Sequence, residues 1–231
     1  MSSFARRMAK GAAPSTSNYV EEVVSADAGG DNTIILLSNG TVFTVGRNDK
    51  GQLGQQNSRD IYNHYSFVKV RQGESTNPRD SKDSSMNKVV AVAAGWNHQV
   101  VLRLDGKIYA WGDNSKGQIG TLKASEAEQP PVETLDETAG ETPAEPVEVP
   151  TYTDMATLMT DPDGLTIGGG SETDPANPYY GQQIAAGFNS TFTKVQDLRV
   201  VEPLKQVKTL AWGDNSMGQH GNYGPGAGET A

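Results

Sequence analysis

The segment Ala110-Trp111-Gly112-Asp113-Asn114-Ser115-Lys116-Gly117-Gln118-Ile119-Gly120 decides how this chain is read, because it occurs three times. It returns as Ala211-Trp212-Gly213-Asp214-Asn215-Ser216-Met217-Gly218-Gln219-His220-Gly221. A looser copy is Thr44-Val45-Gly46-Arg47-Asn48-Asp49-Lys50-Gly51-Gln52-Leu53-Gly54. A recurring unit has to be recognised first, since it sets the architecture into which single elements fit.

Working outward, a shift of 66 residues places Gly29 on Gly95, Asn39-Gly40 on Asp105-Gly106, Gly46 on Gly112 and Gly51 on Gly117 without a gap. Thr33 to Leu37 and Gln99 to Leu104 read as strands, with Thr41 to Val45 and Lys107 to Trp111 as their partners. The intervening Asn-Gly and Asp-Gly pairs suit two-residue primed turns, in which both central residues take positive φ. Each unit is therefore predicted to be a β-hairpin.

The pattern that follows, Gly-x-Asn-x-x-Gly-Gln-x-Gly, is that of a tight loop. Gly46, Asn48 and Gly51 mark it in the first copy, Gly112, Asn114 and Gly117 in the second, and Gly213, Asn215 and Gly218 in the third. The glycines meet backbone demands and the asparagines bond nearby backbone as Asx turns do. A phosphate cradle would need a closing Lys-Ser/Thr and a following helix, which this pattern lacks.

The run Val89 to His98, then Leu104 to Gly112, then Gly117-Gln118-Ile119-Gly120 resembles the repeat of the regulator of chromosome condensation family. In that family each repeat corresponds to one four-stranded blade of a β-propeller, usually seven-bladed. The resemblance implies an all-β chain, an incomplete β-propeller of about three blades made of repeated antiparallel hairpins, with an acidic Pro-rich insertion. The expected division is an N-terminal anchoring arm, 1–20, and a repeat array, 21–231. The blade units are 24–70, 88–123 and 183–221, and the insertion is 124–182.

With 231 residues, 35% hydrophobic content and a mean hydropathy of −0.55, the chain is expected to be soluble, with one sizeable core or a repeat array. No run reaches the ~18 apolar residues of a membrane helix, so no membrane insertion is expected. The absence of cysteine excludes disulfides, thiol catalysis and Cys-type zinc sites. It leaves the redox compartment open.

Residues 1–20 contain Arg6, Arg7 and Lys10 and no acid, and the segment after the arginine pair lacks the apolar stretch of an export signal. They read as an uncleaved arm. Together with Asn18-Tyr19-Val20-Glu21-Glu22-Val23 the leader looks like the opening of bacteriophage tail-appendage proteins, which would make Phe4, Arg6, Arg7, Asn18 and Tyr19 partner contacts and the location a virion.

Tyr65 to Val70 alternates as a strand with one buried face, residues 71–87 read as polar linker, and Pro146 to Pro150 takes the corresponding strand's role after the second repeat. Between Lys123 and Lys194 there is no basic residue and there are thirteen acids, so the rest of the chain carries +4 against an overall −9. The first part of this stretch reads as a solvated loop, or as an acidic surface for a basic partner or a neighbouring subunit. Asp161, Asp163 and Asp174 miss the spacing of a twelve-residue calcium loop, and no metal site is expected.

In the third repeat the interval Gly187 to Gly213 is nine residues longer than Gly95 to Gly112. Val195 to Lys208, with Leu198, Val200 and Val201, would project as a tongue. In the family resembled, a projecting hairpin engages a small GTPase and promotes nucleotide exchange. The chain stops soon after Gly221, and three blades cannot close a ring. Both ends would expose strand edges and apolar faces, so assembly is expected, through homo-oligomeric or heteromeric contacts.

His64, His98 and His220 stand in no nucleophile arrangement, and no catalytic residue or cofactor is expected. His98 aligns with Asn32 and Ser190, a series suited to bonding backbone. Trp111 and Trp212 align with Val45 as core, whereas Trp96, aligned with Gly30 and Phe188, is a candidate exposed contact. Acidity argues against nucleic acid as partner. A non-enzymatic module binding other proteins of a multi-subunit assembly, most simply a virion component, is the first expectation. A regulatory binding protein of the exchange-factor type is the alternative. A polysaccharide-cleaving enzyme would need paired carboxylates in a motif, and none is found.

Overall fold

The computed structural model describes residues 21–55, 62–72, 85–120, 152–161, 165–168, 178–199 and 207–220. Every regular element among them is a strand. The first sheet is β1 (Val23–Ala28), β2 (Asn32–Leu37), β3 (Val42–Gly46) and β4 (His64–Lys69), antiparallel and in chain order. The second repeats it with β5 (Val89–Ala94), β6 (His98–Arg103), β7 (Ile108–Asp113) and β8 (Tyr152–Leu158). The third has β9 (Tyr179–Ala186), β10 (Ser190–Asp197) and β11 (Val207–Gly213).

The hairpin turns differ from the primed turns expected. Leu37 N–H donates to Thr41 O (2.9 Å) and Gly40 N–H to Leu37 O (2.9 Å), and the same pair of bonds links Arg103, Gly106 and Lys107. Gly40 and Gly106 have φ of 80° and 75°, whereas Lys88 is the one non-glycine with positive φ among the described residues. These are three-residue loops, a type I turn closed by a left-handed glycine. Asn39 holds the turn from its side chain by accepting the Thr41 N–H (2.9 Å), so it needs no left-handed backbone.

Successive sheets stack face to face as blades. β1 packs on β5 and β5 on β9, which puts the first strand of each blade innermost. Ile34, Leu36 and Val42 of the first blade meet Val101, Tyr109 and Trp111 of the second in one core. Val100, Leu102, Ile108 and Ala110 of the second blade meet Val195, Leu210 and Trp212 of the third in another. Both tryptophans are core, as their alignment implied.

Two parts of the sequence reading are corrected here. The fourth strand of the second blade is Tyr152–Leu158, inside the span 124–182 read as insertion, because β7 pairs with it. Residues 121–151, including Pro146 to Pro150, lie outside the described residues. The supposed polar linker also supplies core: Met86 is fully buried and donates its N–H to Val70 O (2.9 Å), as Ile167 does to Met159 O (2.9 Å) in the next blade. Each of these two blades thus ends in a pair of apolar residues that seals it against its successor.

Candidate partner-binding surface

One rim of the array is formed by the loops entering the second strand of each blade and leaving the third. Its architecture is repeated bond for bond. Asn48, Asn114 and Asn215 accept the N–H groups of Leu53 (3.0 Å), Ile119 (3.2 Å) and His220 (2.9 Å) through Oδ1. Their carbonyls accept from Gly51, Gly117 and Gly218 at 3.0 Å each. Gly46, Gly112 and Gly213 have φ of 103–113° and press against the carbonyls of Asp31, Asn97 and Asn189, leaving no room for a Cβ. All nine turn residues therefore act as scaffold, holding the rim loops in a common geometry.

On that scaffold a backbone relay runs from blade to blade. Gly30 N–H donates to Trp96 O and Trp96 N–H to Phe188 O, both at 3.0 Å. The Trp96 ring lies over Gly30, where an added Cβ would stand 2.7 Å from Cδ2, and packs against Phe188 with centroids 4.9 Å apart. Trp96 is 44% and Phe188 63% exposed. Trp96 is thus exposed, as the sequence suggested. Phe188 was visible in the alignment, but its pairing with Trp96 was not.

Beneath the rim, the aligned polar series divides. Asn32 Nδ2 donates to Trp96 O (2.9 Å) and Ser190 Oγ to Asp214 O (3.0 Å), both backbone bonds as expected. His98 instead meets a side chain: Nε2 lies 2.9 Å from Thr191 Oγ1, whose hydroxyl donates to Gln118 O at 2.7 Å. The hydroxyl proton is committed to Gln118, so His98 Nε2 is the donor. Complete burial pushes the His98 pKa down to about 4, with the Asp113 charge acting in the opposite direction. A neutral imidazole donating to a structural hydroxyl is a blade-to-blade tie rather than a base.

The third hairpin carries a feature not anticipated. It continues past the pair Lys194↔Thr209 to Val195↔Lys208 and Gln196↔Val207. At this root Asp197, its side chain 3% exposed, binds Arg199 (2.7 Å) and Lys208 (3.2 Å). Both cations also lie 5.5 Å from the Tyr179 ring centroid. Hydrogen bonds from Arg199 and Lys208 hold the Asp197 carboxyl well below the usual carboxylate range. Asp197 ends β10 and Arg199 lies in the turn that follows it, and this Asp-x-Arg spacing was the available signal. Leu198 is half-buried and donates its N–H to Pro178 O (2.8 Å). Val200 and Val201, like Phe4, Arg6, Arg7, Asn18 and Tyr19, lie outside the described residues.

No group of three or more His, Asp or Glu among the described residues could hold a metal ion. Asp161, considered above for calcium, caps a turn by accepting the Leu165 N–H at 2.8 Å. No helix among the described residues is long and apolar enough to cross a membrane.

Two four-stranded and one three-stranded antiparallel sheets, stacked in sequence with glycine loops along one rim, define an incomplete β-propeller of about three blades. The model of the Regulator of chromosome condensation (RCC1) repeat matches residues 23–52 and 89–118, and a second model of the repeat matches 39–102. Residues 23–118 are therefore repeats of this family. It is 33% identical over 122 residues to the human Regulator of chromosome condensation, covering 52% of this chain and 26% of that protein. It is 32% identical over 107 residues to the human X-linked retinitis pigmentosa GTPase regulator, covering 46% of this chain and 9% of that protein. Yeast RCC1 (Prp20), solved bound to Kap60, superposes with a TM-score of 0.52 at 16% identity over 90% of this chain and 35% of its own. The chain therefore spans about a quarter of the human regulator's length.

Proposed function

We propose that this chain is a regulatory protein-binding module whose partner is a small GTPase, engaged by the Trp96–Phe188 rim and the extended hairpin of the third blade. The observation that carries this reading is the hairpin root. A blade strand lengthened beyond its neighbours and locked by a buried carboxylate, two cations and an aromatic ring is a rigid platform for whatever residues 198–206 contact. Kinship with a protein named as a GTPase regulator supports the class of partner. An exposed Trp–Phe pair is the kind of anchor on which protein interfaces concentrate their binding energy.

Exchange by such a module needs no catalytic side chain. A hairpin that binds the nucleotide-free form of a GTPase more tightly than the nucleotide-bound form speeds nucleotide loss through that difference in affinity alone. The virion reading draws on the leader, and none of the relatives above favours it over the regulatory one. We retain residues 1–20 as an anchoring arm, a role testable by deleting them and following incorporation into the parent assembly.

The deciding experiment is release of a fluorescent guanine nucleotide from a panel of small GTPases. The full chain should accelerate release from at least one, and replacing residues 198–206 with a short glycine-serine turn should abolish the acceleration. Acceleration that survives the replacement, or no effect on any GTPase, would overturn the reading.

A further inference from the structure

The hairpin ladders allow the same position to be compared in all three blades. Asn32↔Gly46, His98↔Gly112 and Ser190↔Gly213 are equivalent pairs. Counted from them, the face that a blade turns to its successor carries Ile34, Leu36, Val42 and Thr44 in the first blade and Val100, Leu102, Ile108 and Ala110 in the second, all buried. In the third blade the same positions hold Phe192, Lys194, Thr209 and Ala211. Lys194 and Thr209 are exposed, and Phe192 and Ala211 are half-buried. The turn position of Leu53 and Ile119 becomes His220, which meets the Phe192 ring edge-on at 5.6 Å.

We propose that the third blade is an end cap, whose outward face accepts neither a further blade nor the first blade of a second copy. The chemistry of the opposite end supports this, because it fails to match. The face of the first blade equivalent to the buried Val101, Tyr109 and Trp111 holds Ile35, Phe43 and Val45, with Phe67 beside it 50% exposed. These residues offer no carboxylate to Lys194, so docking the two faces would strip its ammonium of water without a counter-charge.

The array is therefore directional, its first face carrying Ile35, Phe43 and Val45 with Lys69 at the edge, opposite Phe43, and its last closed by polar side chains. Closure of a six-bladed ring by two copies head to tail is excluded, because that ring needs both ends to be apolar. Terminal repeats with a polar outer face are the usual way in which a stack of repeats stays finite.

The test is the mass of the full chain by light scattering over a hundredfold range of concentration. The double variant Lys194→Glu/Thr209→Glu should leave the wild-type mass unchanged at every concentration. The triple variant Lys194→Leu/Thr209→Ile/His220→Ile, which restores the apolar row, should associate at least tenfold more tightly than wild type. A wild-type assembly dissociated by the glutamates would overturn the proposal, as would a folded triple variant whose mass tracks the wild type throughout.

Discussion

Trp96 donates its backbone N–H to the carbonyl of Phe188 at 3.0 Å, and the two rings pack with centroids 4.9 Å apart. This places a tryptophan of the second blade and a phenylalanine of the third on one exposed rim. Because the backbone bond persists without either side chain, truncation tests the rings separately from the fold.

Trp96→Ala and Phe188→Ala should each leave the fold intact and weaken partner binding by about 1–3 kcal/mol, the range of interface anchors. A double-mutant cycle on stability should give a coupling of about 0.5–1.5 kcal/mol, the usual value for an aromatic pair. Denaturant unfolding and partner titration check the two figures. Loss of stability without loss of binding would assign the pair a packing role alone.

Two glycines with left-handed backbone should respond differently to alanine. At Gly112, with φ of 105°, a Cβ would collide with Asn97 O, whereas Gly218, with φ of 73°, has nothing within 4 Å. Gly112→Ala should cost about 2–4 kcal/mol, combining strain and collision. Gly218→Ala should cost about 1 kcal/mol from the backbone alone. Equal losses in chemical denaturation would contradict the assigned geometry.

Stability should depend on pH through His98. Its folded pKa of about 4 lies below the ordinary 6.5, so between these values the unfolded chain binds a proton that the folded chain refuses. Stability therefore falls as pH drops from 6.5 toward 4, by about 3 kcal/mol in all. His98→Asn, the residue type found at the aligned Asn32, should flatten this segment of the stability profile. An unchanged profile in the variant would remove His98 as its source.

Asp197→Asn should loosen the root of the third hairpin. The carboxylate is buried while Arg199 and Lys208 are 43% and 37% exposed, so water takes over part of their interaction and the loss should be about 1–3 kcal/mol. The folded pKa of Asp197 is depressed, so its contribution is present above about pH 4 and disappears as pH falls below that value. Limited proteolysis should cut the hairpin faster in the variant at neutral pH. Identical cutting would leave the network without a role in holding the root.

Much of this was legible in the residues. The three Gly-x-Asn-x-x-Gly-Gln-x-Gly runs located the rim turns, and alternation located the hairpins, because glycine at forced φ and period-two burial are local properties that sequence records directly. What escaped depends on contacts distant in the chain. Tyr152–Leu158 joins the second blade across a long interval, and nothing local tells a strand there from the surrounding acidic segment. Met86 stands in a polar stretch and reads as linker until the blade against which it seals is in place. Lys194 and Thr209 lie on opposite strands of a lengthened hairpin, so the polarity of the third blade's outer face emerges only once the ladder register is known. The turn at Asn39 was misassigned for a subtler reason: Asn-Gly satisfies a primed turn and a type I turn with a left-handed glycine equally well.

The most direct measurement of the central claim is hydrogen exchange of the full chain, free and bound to a nucleotide-free small GTPase that it engages. Partner-dependent protection at residues 95–98 and 187–189 and at the hairpin root, 195–199 and 207–208, with exchange unchanged in β4, is the expected result. Protection confined to β4 and the open face of the first blade, with the rim and hairpin unaffected, would contradict it.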